Sequence, residues 1–243
     1  MSTYQDVVLA NQALAAWALT EAAGTTFVPY IGGSNLIGTG AFDYQQSGPF
    51  AASFGLRGHV AAKLTLTFVT VVNPPVTREC WFRLPSATPT NLQILFYTGN
   101  ANTNGSGLYV ATNGHIHVLH AGTADVDTAL LWPDTAWHLI QLAANPNGVT
   151  ETLAIDGVVR WRATPATANA PSPNALIFMA DSSTTTNNLV TVAMPAFYPY
   201  ELSPPQLAST FLASTNPDAA LGLTLSGGSD LLAQILASVR RTY

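Results

Sequence analysis

The stretch Glu151-Thr152-Leu153-Ala154-Ile155-Asp156-Gly157-Val158-Val159 constrains the fold more than any other. Two short runs suited to strands flank an Asp-Gly pair, which reverses a chain within two residues. A further strand-like run, Trp137–Ala144, precedes it across the break Asn145-Pro146-Asn147-Gly148. The same grammar recurs elsewhere. Gly107–Ala111 and His115–Leu119 flank Thr112-Asn113-Gly114, where Asn-Gly predicts a type I′ turn with positive φ at both positions. Leu64, Leu66 and Phe68 alternate with Thr65, Thr67 and Val69, and Cys80, Phe82 and Leu84 alternate with Glu79, Trp81 and Arg83. Leu92, Ile94 and Phe96 share one face of the run Asn91–Tyr97, and Asn174–Ala180 and Leu189–Tyr198 supply the last strands. About a dozen short strands exceed an immunoglobulin module and suit a larger antiparallel jelly roll. Residues 24–50, with Gly24, Gly32, Gly33, Gly38, Gly40 and Gly48, read as loop-dominated.

Four short motifs occur in order: Trp17-Ala18-Leu19-Thr20-Glu21-Ala22-Ala23-Gly24; Glu79-Cys80-Trp81-Phe82-Arg83-Leu84-Pro85; Trp137-His138 with Ile155-Asp156-Gly157; and Ala196-Phe197-Tyr198-Pro199-Tyr200-Glu201-Leu202-Ser203. This order resembles the laminin G-like modules of the concanavalin A-like lectin and glucanase superfamily, as found in bacteriophage structural proteins. The resemblance implies an all-β, concanavalin A-like jelly-roll sandwich of two antiparallel sheets over residues 15–213. Residues 1–14 become an approach segment, with 3–12 open to a short helix. Trp137 becomes a core tryptophan, with His138 as its structural neighbour.

Past the last strand, Ser203 is placed to cap a short helix, with Pro204 at its first position and Gln206 completing a capping box. Residues 214–243 read as a linker and a C-terminal amphipathic helix over 230–241. Leu231, Leu232, Ile235, Leu236 and Val239 form its apolar stripe, which must bury either on its own domain or on a partner chain, and makes it a candidate assembly anchor.

Composition narrows the function. Hydrophobic residues make up 48% and charged ones 9%, against roughly 25% charged in average soluble proteins. Lys63 is the single lysine and the net charge is −5, so no basic patch exists to neutralise phosphates and nucleic-acid binding is disfavoured. Cys80 is the one cysteine and reads as a small buried apolar residue. The first residues carry Asp6, Asn11, Gln12 and Glu21 and do not read as a signal peptide, and no apolar run is long enough for a membrane span.

Catalytic signatures are missing. The glucanases of the resembled superfamily carry Glu-x-Asp-x-(x)-Glu on one strand, since retaining hydrolysis needs two carboxyls about 5–5.5 Å apart. The close acidic pair here is Asp125 and Asp127, read as a loop before Trp132. The pair suits calcium at a loop rim, as in many laminin G-like modules, or simple solvation. His115 and His117 share a strand face, with His120 opposite or in the turn; a sheet-surface pair is the plain reading, and zinc would need a third ligand. Asn100, Asn102 and Asn104 carry amides that could meet sugar hydroxyls, or serve only as turn formers. With Asp125, Asp127 and Trp132 they are the candidate carbohydrate-binding residues.

The expected function is a non-catalytic virion protein, a phage decoration, fibre or tail component displaying a lectin-like module, made in the host cytoplasm and released by lysis. The alternative is a free bacterial carbohydrate-binding module, with calcium as the one cofactor left open. Expected partners are other virion proteins, further copies of the chain and a cell-surface glycan, with no nucleic acid and no membrane.

Overall fold

Period-two alternation becomes seventeen strands among the described residues of the computed structural model, which are 3–67, 75–100, 104–120, 124–145, 150–164, 175–180 and 189–215. The elements are α1 (Thr3–Ala10), β1 (Ala15–Trp17), β2 (Thr26–Phe27), β3 (Pro29–Ile31), β4 (Leu36–Thr39), β5 (Phe42–Ser47), β6 (Phe54–Gly58), β7 (Lys63–Thr67), β8 (Val76–Arg83), β9 (Gln93–Asn100), β10 (Asn104–Val110), β11 (His115–His120), β12 (Ala124–Leu131), β13 (His138–Ala144), β14 (Glu151–Ile155), β15 (Val158–Ala163), β16 (Ala175–Phe178), β17 (Thr191–Tyr198) and α2 (Pro204–Thr215). One nine-stranded sheet runs β15-β14-β13-β8-β17-β1-β3, with β6 also on β17 and β5 on β6. The other, eight-stranded, runs β12-β11-β10-β9-β16-β7-β4-β2. All pairings are antiparallel and the sheets face each other as a sandwich. The stripe Leu231, Leu232, Ile235, Leu236 and Val239 lies outside the described residues.

Two cores hold the molecule. The first fills the sandwich with Trp17, Phe27, Cys80, Phe82, Phe96, Ile140, Leu153, Phe178 and Phe197 among others. The second covers the outer face of the nine-stranded sheet, where Tyr4, Val7 and Val8 of α1 and Leu207 of α2 pack on Trp81, Leu139, Ala154 and Ala193. The alternation in β8 therefore separates two buried faces, not a buried from a wet one. Cys80 and Phe82 point into the sandwich and Trp81 into the helix layer.

That second face buries Glu79 fully. Its Oε1 accepts from the Tyr4 hydroxyl (2.6 Å) and the Tyr198 hydroxyl (3.3 Å), and its Oε2 from Gln141 Nε2 (2.7 Å). Burial pushes the Glu79 carboxyl up, and the hydrogen bonds from Tyr4, Gln141, Thr210 and Tyr198 offset part of that rise. Inside the sandwich Arg78 Nη1 donates to the Ser106 carbonyl (2.9 Å), and the Ser106 hydroxyl donates to Glu151 Oε1 (2.5 Å). Arg78 and Glu151 approach to 3.8 Å, and together with Ser106 they tie one sheet to the other.

Local chemistry sets the element ends. Gln12 takes φ of 51°, and the amides of Gln12 and Ala13 bond back to the carbonyls of Leu9 and Val8. This is a Schellman stop for α1. At α2, Gln206 Oε1 accepts the Ser203 amide (3.0 Å), half of the expected box, while the Ser203 hydroxyl donates to the same oxygen (2.8 Å). Pro195, without an amide hydrogen, sits in a bulge of β17 between Ala193 and Ala196, where Met194 has φ of 49°.

Several expectations need correction. Residues 24–50 hold four short strands, β2 to β5, because glycines there bound the strands without excluding them. At Thr112-Asn113-Gly114 only Gly114 has positive φ, 84°, and the Ala111 and His115 backbones pair across it. The loop is thus a three-residue connection closed by a left-handed glycine, not type I′. Asp156 and Gly157, at φ of 52° and 73°, do form the two-residue type I′ geometry. Trp137 is half-buried at a surface, not in the core: Arg83 lies 5.1 Å over its ring and its Nε1 donates to Ser47 O (3.1 Å).

Candidate ligand-binding face

The outer face of the eight-stranded sheet gathers the chemistry. Strand parity decides which side chains reach it. In β10 and β11, Leu108, Val110, Ile116 and Val118 point into the core. Gly107, Tyr109, His115, His117 and Leu119 alternate with them and point outward. One cross-strand row runs Thr65, Ile177, Tyr97, Gly107, Leu119 and Asp125, each paired with the next. The row beside it places Tyr109 opposite His117, and His117 opposite Asp127.

Tyr109 and His117 stack, with centroids 4.8 Å apart and planes at 20°. The Tyr109 hydroxyl donates to Asp125 Oδ2 (2.5 Å), and His117 Nδ1 stands 2.9 Å from Asp125 Oδ1. His115 Nδ1 is 2.9 Å from Asp127 Oδ2, and the Ala129 amide donates to Asp127 Oδ1 (2.7 Å). The His115 bond, then the Ala129 amide, hold the Asp127 carboxyl below its ordinary range. Burial, then Asp125, push the Tyr109 phenol up, so it stays a donor at neutral pH. His117 Nε2 is buried without a hydrogen-bond partner, 4.0 Å from Asp127 Oδ2.

Beside this cluster lies a hollow of about 230 Å³, lined by Leu92, Ile94, Tyr97, Gly107, Tyr109 and Leu119. Its floor depends on glycine: a Cβ on Gly107 would stand 2.3 Å from Tyr97 Cδ2 and 2.5 Å from the Phe96 carbonyl oxygen. An apolar hollow flanked by a stacked aromatic pair and two carboxyl groups fits a ligand with one apolar face and several hydroxyls.

Asp125 and Asp127 lie on β12, not in a loop, with side chains 51% and 44% exposed. Trp132 is removed from the surface; it packs in the core, T-shaped against His138, with its Nε1 donating to the Asp134 carbonyl (2.7 Å). It therefore offers no stacking platform. Asn100 and Asn104 pair across the end of the β9–β10 hairpin, and Asn102 lies outside the described residues. Among the described residues no three metal-binding side chains converge. Each oxygen of Asp125 and Asp127 already meets a protein donor, so a cation there would have to displace one. Tyr109, Gly107, Tyr97 and Leu119 were hidden in the sequence because each is ordinary for a strand. Only the shared parity of positions 107, 109, 117, 119, 125 and 127 links them.

No family model matches the chain, and no curated protein does. Solved structures show the fold. A Trypanosoma rangeli sialidase in complex with 2,3-difluorosialic acid superposes with a TM-score of 0.62 at 15% identity, over 84% of this chain and 33% of its own. The botulinum neurotoxin serotype D binding domain gives 0.63 at 12% identity, over 86% of this chain and 52% of its own. The receptor binding domain of botulinum neurotoxin mosaic serotype C/D gives 0.60 at 11% identity, over 83% and 51%. The chain thus spans about a third of the sialidase and about half of the toxin chains, and shares with them the fold of a two-sheet antiparallel sandwich.

Proposed function

We propose that this chain is a non-catalytic glycan-binding module that takes a sugar on the outer face of its eight-stranded sheet. The observation that carries this reading is the Tyr109–His117 stack standing between a hollow and the carboxylates of Asp125 and Asp127. A pyranose presents C–H bonds on its faces and hydroxyls at its edge. The stack and the hollow suit the first, and the carboxylates suit the second. The fold is also that of a sialidase segment and of toxin binding domains, which supports a recognition role.

Catalysis is the weaker reading. Asp125 and Asp127 share a strand face, but their oxygens are taken up by Tyr109, His117, His115 and the Ala129 amide. Asp127 is held ionised, which is opposite to what a general acid requires. Display on a virion is the specific setting proposed for the module; the 9% of charged residues favours life within an assembly.

A glycan array probed with the full chain tests the proposal. Binding should fall at least about tenfold with Tyr109→Ala or Asp125→Ala, each removing a contact of the charge-assisted or stacking type. Binding unchanged in both variants overturns the site. Loss on chelation would bring calcium back to Asp125 and Asp127, and release of free sugar would bring back hydrolysis. Mass spectrometry of purified virions tests the setting separately.

A further inference from the structure

The opposite side of the sandwich carries a second pocket, on the outer face of the nine-stranded sheet. It measures about 120 Å³ and is lined by Arg57, Arg83, Leu84, Pro85, Leu189 and Thr191. Register explains the arrangement. Thr191 of β17 pairs with Arg57 of β6 on one side and with Arg83 of β8 on the other. Three consecutive cross-strand neighbours are thus arginine, threonine, arginine, with the arginine backbones two strand spacings, roughly 10 Å, apart. Thr191 is buried at their centre.

Neither guanidinium has a carboxylate partner among the described residues. Asp43 lies opposite Arg57 in register, yet its Oδ1 turns to His59 Nε2 at 2.9 Å. The Arg83 Cζ lies 5.1 Å from the centroid of the Trp137 ring, and that indole is anchored by its bond to Ser47 O. Gly55 makes room for the ring, since a Cβ there would stand 2.8 Å from Trp137 Cη2. Contact with the ring face occupies no oxygen acceptor, and among the described residues the Arg83 guanidinium donates to none, so its N–H groups are available. The whole chain has eight lysine and arginine side chains, and two of them share this one small pocket, whose lining holds no acid.

We infer that the Arg57–Thr191–Arg83 pocket is an oxyanion site, taking the carboxylate or sulfate of an acidic sugar or a free inorganic oxyanion. The fork of each guanidinium matches two oxygens of such a group, and the Thr191 hydroxyl supplies a further donor between them. The site is independent of the proposed sugar face, which lies on the other sheet.

The test is a titration of the ¹⁵N-labelled full chain with sodium sulfate and, separately, sodium glucuronate, balanced with sodium chloride to constant ionic strength. Saturable shifts of the Arg57 and Arg83 Nε–H and Trp137 Nε1–H signals are expected. Arg57→Gln and Arg83→Gln should each weaken binding about tenfold, and Arg83→Lys, which keeps the charge but loses the fork, should weaken it less. Tighter glucuronate binding identifies an acidic sugar as the source; saturation by sulfate alone identifies an inorganic ion. Shifts that do not saturate, or that persist in Arg57→Gln and in Arg83→Gln with the remaining spectrum unchanged, overturn the site.

Discussion

His138 Nδ1 stands 2.8 Å from Asp156 Oδ2, joining the first residue of β13 to the turn that follows β14. Asp156 Oδ1 meanwhile accepts the Leu139 amide at 2.9 Å, and the Asp156 amide donates to the Leu139 carbonyl at 2.9 Å. The far side of the imidazole, Nε2, is 3.1 Å from Asp134 Oδ1. The Trp-His and Asp-Gly motifs are therefore two halves of one latch, in which an imidazole between two carboxylates pins a hairpin end.

This latch predicts a pH dependence. Burial pulls the His138 pKa down, but the hydrogen bonds to Asp156 and Asp134 outweigh it and leave the pKa raised. The histidine contribution is then full below the unfolded value of about 6.5 and fades as pH rises through the folded value. The Ala136 amide, then His138, hold Asp134 below its ordinary range, so its contribution is present above about pH 4 and fades in more acidic solution. Denaturant midpoints should peak between those limits. Asp156→Asn should lower the His138 pKa in an NMR titration and flatten the alkaline side of the profile. A raised His138 pKa persisting in Asp156→Asn would refute the latch.

Gly157 completes the turn and also seats α2. Its φ is 73°, and a Cβ would meet Phe211 Cβ at 2.9 Å and Ala208 Cα at 3.0 Å. Gly157→Ala thus combines backbone strain with a helix pushed off its sheet. Unfolding free energy should fall by about 2 kcal/mol or more, with an unchanged denaturant slope.

The buried acids make opposite predictions for single and paired changes. Arg78→Met leaves the Glu151 carboxylate inside the sandwich without its guanidinium, and should cost about 3 kcal/mol or more. Arg78→Met with Glu151→Leu should recover much of that loss, because an apolar pair of similar size needs no desolvation. A double-mutant cycle in urea reads the coupling. At the other acid, Glu79→Leu strands the Tyr4 and Tyr198 hydroxyls and takes one of three acceptors from Gln141 Nε2, while Glu79→Gln keeps an acceptor and should be milder.

Alternation made the sandwich legible, since Cys80, Phe82, Ile116 and Val118 follow strict parity into one core. It could not foretell that the other parity of β8 is also buried. Helix α1, barely eight residues long, and α2 supply that cover, and neither is visible from within the strand. A charge at an inward position, such as Arg78, also defeats a rule that sorts polar residues outward. The candidate site was legible through Asp125 and Asp127 and through the shared strand face of His115 and His117. Trp132 misled because a tryptophan beside acidic residues looks like a platform, whereas tertiary packing draws its ring into the core.

Gly107 separates the demands of the fold from those of the proposed sugar site. An added methyl would press on Tyr97 Cδ2 and the Phe96 carbonyl oxygen, so Gly107→Ala should cost about 1–3 kcal/mol and close the hollow. Leu119→Ala, on the hollow's rim and half-buried, should instead widen it with little loss of stability. If the hollow seats a sugar ring, the first change abolishes glycan binding in the folded protein, and the second weakens or redirects it while the Tyr109–His117 stack remains. Parallel binding and denaturation curves on the two variants decide the point. Full binding by a folded Gly107→Ala would place the ligand away from the hollow and leave the carboxylate end of the face, around Asp125 and Asp127, as its contact.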